Sequence, residues 1–431
     1  VKLLLVNQHY PPDAGATGKL AAQLSVSLVR RGHEVTVLTG RPTYEEAKGA
    51  RAPRSEWRDG VRVLRLALLS RLDAPPGRLL HYASFALALL ARGLFLRRPD
   101  AVLAFSSTPV FGGAAAALLA SFLGCPFVYV VQDVYPEVAV ALGVLREGVL
   151  ERAARLLEML AWRSAARVVV IGPEMAEAAR RRGVAPERLA VIGNWADPLE
   201  IRPAEGEAFR REAGIGADEF VVQYAGNLGR SQDLDAVLRA VRIVEEKAAP
   251  KPVRFLFVGG GVRADEILRE VERLPNVTVM PRQPEEKLPE VLAAADLSLV
   301  PLRQGLARWC VPSKVYSILA SGRPVGACID ADSEVARIVT GSDCGFRVDA
   351  GDAAALAEEI LRLAGDPERA RRLGRRGRLR AETTDSREHA VDRYEELLER
   401  VVRSSGPGVV PTPLMERTSA AGYGPREEER S

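Results

Sequence analysis

The chain has 431 residues with 47% hydrophobic and 27% charged side chains, a globular composition sized for two or three domains and incompatible with disorder throughout. Four cysteines without a C-x-x-C pair, and four histidines at no zinc-ligand spacing, argue against a structural zinc site or a disulfide scaffold. A net charge of +4 suits an anionic ligand or a membrane surface and is too small to indicate nucleic acid; 53 of the 60 basic residues are arginine, so much of the excess reflects coding bias.

In chain order, Lys2 to Val6 is a short apolar run that reads as a buried strand rather than a secretory signal, so a cytoplasmic location is expected. Pro11 to Thr17 is a loop, Gly18 to Arg31 a helix stopped by Gly32, and Glu34 to Thr39 the next strand. Further strands are predicted at Val61 to Leu66, Ala101 to Phe105, Phe127 to Val131 and Val168 to Ile171, each ahead of a loop with Gly, Pro, Ser or Asp. The rhythm breaks near Asn194-Trp195-Ala196-Asp197-Pro198, and a second series follows. Its strands are Phe220 to Tyr224, Arg254 to Val258, Val277 to Met280, Leu297 to Val300 and Pro324 to Ala327. Its helices are Leu234 to Glu246, Ala264 to Arg273, Leu288 to Ala294 and Ser313 to Ser321, with Asp352 to Leu363 and Arg387 to Val402 closing the fold. This is the pattern of two α/β, Rossmann-like domains facing across a cleft, with ligands on the post-strand loops. The expected division is 1–197, 198–385, a closing helix over 386–403 and a disordered tail over 404–431.

Three segments carry chemistry. Tyr224 to Asp233 follows a strand and opens a helix: Gly226 and Gly229 let backbone approach a ligand, the helix start offers N–H groups to a phosphate, and Arg230 adds charge, although a plain βα turn would look similar. Phe257-Val258-Gly259-Gly260-Gly261 is a second strand and glycine turn. Ala264 stands where a dinucleotide fingerprint needs glycine and no acidic residue ends a strand about 20 residues on, so a nicotinamide cofactor is not expected. In Val311 to Val325, Ser313 reads as an N-cap and Gly322 as a helix stop. Lys314 falls in the first turn, where a cation opposes the helix dipole unless an anion offsets it; a solvated surface lysine is the plain alternative.

Taken together, Pro11-Pro12-x-x-Gly15-Ala16-Thr17, Gln132-Asp133-Val134-Tyr135-Pro136-Glu137, Gly193-Asn194-Trp195-x-Asp197, Gly226-Asn227-Leu228-Gly229, Ala295-Asp296 and Val311-Pro312-Ser313-Lys314 through Gly322-Arg323-Pro324 resemble the group 1 (family 4) glycosyltransferases of GT-B fold. The resemblance spans nearly residues 1 to 400 and looks most like the bacterial O-antigen and capsule subgroup that includes fucosamine transferases. It implies retaining, metal-independent transfer of a sugar, N-acetylated or deoxy such as N-acetyl-fucosamine, from a UDP-sugar on the C-terminal domain. The implied acceptor is a polyprenyl-diphosphate-linked saccharide on the N-terminal domain, in cell-surface polysaccharide synthesis. Arg230, Lys314, Ser313 and the Gly15, Ala16 and Thr17 amides are then assigned to the departing diphosphate. The donor site would also use Gly226, Asn227, Gly229, Gln232, Gly259, Gly260, Arg282, Pro312, Ser333 and Glu334. Asp133 would orient the acceptor or stabilise positive charge at the sugar ring, with Glu137 and Asn194 on the same side, and a helix-start carboxylate is the plain alternative for both acids.

The chain also departs from the family pattern. Where two glutamates eight apart are usual it has Trp309 and Ser317, and Gln232 replaces the lysine that usually follows the glycine loop. Glu334 is a candidate for the ribose contact or a helix cap. Asp233-Leu234-Asp235 and Asp330-Ala331-Asp332 mimic a metal-binding D-x-D and read as a helix start and a loop. Leu79 to Leu96 would span about 27 Å as a helix, short of a bilayer core and interrupted by Arg92 and Gly93, so it is either buried or shallowly inserted. Arginines 371, 372, 375, 376, 378 and 380 could meet anionic lipid or form a solvated face, and peripheral attachment to the inner leaflet is expected. Two other functions compete: a nucleotide-sugar epimerase of the same fold, disfavoured because His9, His33, His81 and His389 show no grouping, and a non-catalytic nucleotide-sugar-binding subunit, motivated by the missing glutamates.

Overall fold

A computed structural model describes residues 1–404 apart from 14, 43–51, 70–74 and 248. The expected tail lies outside the described residues but for Ser404. The first domain contains β1 (Lys2–Val6), α1 (Ala16–Arg30), β2 (Glu34–Thr39), β3 (Ser55–Arg58), β4 (Val61–Arg65), α2 (Pro75–Gly93), β5 (Ala101–Phe105), α3 (Phe111–Leu123), β6 (Phe127–Val131), α4 (Glu137–Ala141), α5 (Val149–Ser164), β7 (Arg167–Val170), α6 (Pro173–Arg181) and β8 (Leu189–Val191). Its sheet has the order β3-β4-β2-β1-β5-β6-β7-β8, parallel except for β3 against β4. Alternation on β1 shows why both faces must be covered. Leu3 and Leu5 pack with Leu20, Leu24 and Leu28 of α1, whereas Leu4 and Val6 join the cluster of Phe85 and Leu89 of α2 and Leu119 of α3.

The second domain contains α7 (Glu207–Glu212), β9 (Phe220–Ala225), α8 (Leu234–Glu246), β10 (Val253–Val258), α9 (Ala264–Val271), β11 (Val277–Met280), α10 (Leu288–Ala293), β12 (Leu297–Pro301), α11 (Lys314–Ala320), β13 (Val325–Cys328), α12 (Glu334–Gly341), β14 (Gly345–Val348), α13 (Ala353–Ala364) and α14 (Pro367–Thr383). Its parallel sheet runs β11-β10-β9-β12-β13-β14. The final helix, α15 (Arg387–Ser404), returns to the first domain. Val391, Tyr394 and Leu398 join the cluster of Leu3 and Leu24, and Arg31 pairs with Glu388 (3.1 Å), Asp392 (2.6 Å) and Glu395 (2.7 Å).

The chain crosses between domains twice, and the crossings touch at a backbone bridge between Ala196 and Ser386. Beside it the buried Asp197 carboxylate pairs with Arg387 at 2.7 Å. Arg378 of α14 donates to the carbonyls of Pro198 (2.9 Å) and Ile201 (2.7 Å), and Arg380 to Asp385 (2.6 Å). These two arginines therefore staple the crossing and are not part of a lipid-facing surface, a correction to the expectation from the arginine run.

Three strands escaped the sequence pattern: β3 is a polar, exposed edge strand, while β8 and β14 are only three and four residues long. Ser313 does not cap its helix; it already has helical backbone angles and its hydroxyl makes no capping bond, so the helix proper starts at Lys314. The apolar stretch at 79–96 becomes the inward-packed α2 plus a short turn, and among the described residues no helix is long and apolar enough to cross a membrane.

Candidate active site

The two sheets present their post-strand loops to one cleft. On the second domain, β9 runs into Gly226 (φ 137°) and β10 into Gly259 (φ 157°). A Cβ on Gly259 would lie 1.9 Å from the Gly226 carbonyl oxygen, so only glycine lets the loops nest. The Gly226 N–H donates to the Val258 carbonyl (2.8 Å), the Leu228 N–H to Gly260 (2.9 Å), and the Arg263 N–H to Leu228 (3.0 Å). Gln232 accepts from the Gly229 N–H through Oε1 at 3.2 Å. Gly226, Gly229, Gly259, Gly260 and Gln232 are thus brought together, and in this state several of their polar groups hold the loop in shape. Asn227 is exposed, as is Arg230 at its lip, and Arg282 is exposed on the loop after β11.

Lys314 closes this wall from α11. Its Nζ sits 3.5 Å from the centroid of the Tyr224 ring and against Gly226, where a Cβ would come within 3.1 Å of it. Nζ is buried and makes no hydrogen bond, and burial pushes its pKa well below the usual lysine range. A ring face offsets only part of the cost of burying an ammonium, and no acceptor among the described residues supplies the rest. Tyr224 is set for the contact by donating its hydroxyl to the Asn227 carbonyl at 2.6 Å. Sequence reasoning missed Tyr224, although its place immediately before the glycine loop was a usable signal. Pro312 and Ser313 lie half-buried just ahead of Lys314.

On the first domain, α1 starts at Ala16 after an extended Gly15, with no side-chain cap, so the Gly15-Ala16-Thr17 segment presents backbone at its N-terminus. Lys19, in the first turn, pairs with Glu285 of the second domain (2.6 Å) and with Glu200 (3.3 Å). Asp133, after β6, forms a backbone bridge with Cys310 of the second domain, and Val134 donates to the Trp309 carbonyl at 2.8 Å. Desolvation raises the Asp133 carboxyl to about 6. Trp309, in place of the usual glutamate, packs its side chain against the first domain's core.

Other anticipated residues have structural partners. Asn194 is buried and exchanges two hydrogen bonds with Gln132 (2.8 and 3.1 Å). Glu137 is held by Arg182 and by Arg155 (3.0 Å). The Ser333 hydroxyl accepts from the Ala336 N–H at 3.1 Å, capping α12. Glu334 pairs with Arg337 (3.1 Å), which also binds Glu174 of the first domain, and burial raises the Glu334 carboxyl. Of the D-x-D look-alikes, Asp233 caps α8, Asp235 pairs with Arg263 at 2.6 Å, and Asp330 accepts from the Gly305 N–H at 2.8 Å. A cleft pocket of about 310 Å³ adds residues that no motif announced, among them Arg303, Gln304, Leu306 and, from the first domain, Ala141.

Comparison with known proteins matches these two walls to two family domains. Residues 15–195 match the glycosyl transferase 4-like domain and residues 219–366 match glycosyl transferases group 1. WbjE of Pseudomonas aeruginosa, named a probable glycosyltransferase, is 32% identical over 285 residues, covering 64% of this chain and 68% of WbjE. WcaI of Escherichia coli K12, named for colanic acid biosynthesis, is 27% identical over 353 residues, covering 78% of this chain and 86% of WcaI. Among solved structures, HepE of Anabaena in complex with UDP-glucose superposes with a TM-score of 0.70 at 16% identity, over 93% of this chain and 99% of HepE. With one family domain on each side of the cleft and a relative sharing a third of its residues over two thirds of its length, the chain belongs to the group 1 glycosyltransferases and has their two-domain GT-B fold.

Proposed function

We propose that this glycosyltransferase moves a sugar, N-acetylated or deoxy, from a UDP-sugar to a polyprenyl-diphosphate-linked saccharide in cell-surface polysaccharide synthesis, with retention and without a metal ion. The observation that carries the reading is Lys314, a buried, unpartnered cation at the mouth of the nested glycine loops. In the reaction the acceptor hydroxyl oxygen bonds to the anomeric carbon on the face that the diphosphate leaves. The bond from that carbon to the phosphate oxygen breaks, and the hydroxyl proton passes to the departing phosphate. Negative charge grows on the diphosphate, and Lys314 with Arg230 and the α1 amides stabilises it there more than in the ground state. Asp133 faces the acceptor and orients it. The UDP complex of HepE and the polysaccharide role in the name of WcaI support donor and pathway class.

The test is UDP release from a panel of UDP-sugars, with and without a lipid-diphosphate acceptor, in EDTA. Acceptor-dependent release in EDTA supports the proposal. Sugar interconversion without acceptor would indicate the epimerase, binding without turnover a non-catalytic subunit, and rescue only by added magnesium would remove the metal-independent part.

The lipid-linked acceptor brings the inner leaflet into the proposal. The outward face of α2 carries Leu80 and Leu87, exposed by 57% and 69%, and the turn after it carries Leu94, exposed by 48%. Residues 75–99 hold four arginines and no carboxylate, which suits an anionic bilayer. Phe95 and Phe122 are exposed nearby. The protein should float with vesicles containing anionic lipid, and full recovery in the soluble fraction would sink this attachment.

A further inference from the structure

The loop that carries Asp133 is anchored at both ends by partly or fully buried polar contacts. At its start the Ser106 hydroxyl accepts from the backbone N–H groups of Gln132 (2.8 Å) and Asp133 (3.4 Å), and the Gln132 side chain is paired with Asn194. At its end Arg182, the residue that closes α6, donates through Nη2 to the Tyr135 carbonyl (2.8 Å) and to the Glu137 carboxylate. Between these anchors no donor among the described residues is recorded on the Asp133 carboxylate, whose environment raises it by desolvation alone. Its position is therefore set by the backbone.

Arg182 is itself held from below. Its guanidinium lies 4.8 Å from the centroid of the Trp162 ring, its side chain is 10% exposed, and Nη1 is buried without a partner. The Trp162 indole is fixed by donating to Glu158 at 3.0 Å, and the same Glu158 oxygen accepts from the Tyr129 hydroxyl at 2.7 Å. Glu158 is fully buried. A guanidinium kept this dry, with one donor left unused, is an expensive way to make a turn when a lysine or a neutral side chain would serve. Arg182 donates to two acceptors at once while its guanidinium lies over an indole.

We propose that Arg182 is a positioning residue for the transfer reaction: by tying the Tyr135 carbonyl and Glu137 to α6 it fixes where Asp133 stands in the cleft. The inference rests on the acceptor-side role proposed for Asp133.

A double-mutant cycle tests it. Arg182→Met should lower kcat about 10- to 100-fold, the scale on which a displaced reacting group costs rate. The KM for the UDP-sugar and the affinity for UDP by calorimetry should not change, because the nested glycine loops and Lys314 belong to the other domain. On an Asp133→Asn background the same change should cost nothing further. Arg182→Lys should restore part of kcat, and Glu137→Gln should reproduce a smaller loss of the same kind; this pair carries the test if Arg182→Met does not fold. Equal losses on both backgrounds, or wild-type kcat in Arg182→Met, would overturn the proposal while leaving Asp133 in place. Wild-type kcat in Asp133→Asn would instead remove the acceptor-side role itself, and this inference with it.

Discussion

The two walls of the cleft handle charge in opposite ways. The wall of the second domain, proposed to hold the donor, is built from backbone and one buried lysine: two glycine loops nest, and Lys314 is held against Tyr224 with no acceptor of its own. The wall of the first domain, proposed to take the acceptor, is built from buried carboxylates, with Asp133 and Glu158 both raised by desolvation and Glu137 paired with Arg182 and Arg155. One wall is arranged to receive negative charge and the other to hold it back in protonated or paired form. The contrast suits the proposed transfer, in which a diphosphate departs on one side and a neutral hydroxyl arrives on the other.

The largest break in that comparison should come from Lys314→Met. Turnover should fall about 100- to 1,000-fold, the scale for removing one preorganised donor to a developing oxyanion. The melting temperature should rise, because a buried unpartnered charge has gone. A variant that lost both activity and stability would make Lys314 a structural residue. UDP binding should also raise the depressed Lys314 pKa, so any proton uptake that accompanies binding in the wild-type protein should vanish in the variant; calorimetry in buffers of different ionisation enthalpy reads it. Asp133→Asn comes next, with kcat expected to fall roughly 10- to 100-fold while donor KM holds.

Glu158 sharpens the other wall. Burial raises its carboxyl from 4.5 to about 7, so the native state holds the proton more tightly than the unfolded chain. Its contribution is full below pH 4.5 and is lost as pH rises through 7, a loss on the order of 3 kcal/mol. Glu158→Gln keeps an oxygen for Tyr129 and Trp162 and should flatten the decline in melting temperature between pH 5 and 8; an unchanged slope would show that another group sets it. The smallest effect is expected at Arg230, which is exposed on the loop lip. Arg230→Gln should lower kcat a few-fold at low salt and less at high salt, as a screened surface charge does.

How much of this was legible in the sequence follows the same division. The donor wall is local: glycine at 226 and 259, and a lysine in the first turn of a helix, are each visible within a few residues because backbone shape and helix dipoles act at short range. The acceptor wall is not local. Arg182 meets Tyr135 from 47 positions away and Gln132 meets Asn194 from 62, so nothing in either segment announces its partner. Ser313 and Ser333 show the limit from the other side. Both precede a helix, yet only Ser333 has the extended backbone that lets its hydroxyl reach back as a cap. Within the arginine run after Pro367, Arg378 could not be placed from sequence for a similar reason, since the carbonyls that it reaches belong to a crossing segment about 180 residues earlier.

The return of α15 to the first domain has a consequence for how the protein is made. Tyr394, Leu398 and Val401 cover apolar surface that β1 and α1 expose once they leave the ribosome. Every residue of the second domain leaves the ribosome before that cover arrives. Of the two domains, the one translated earlier is thus completed later, and until α15 emerges the nascent chain carries an open apolar seam.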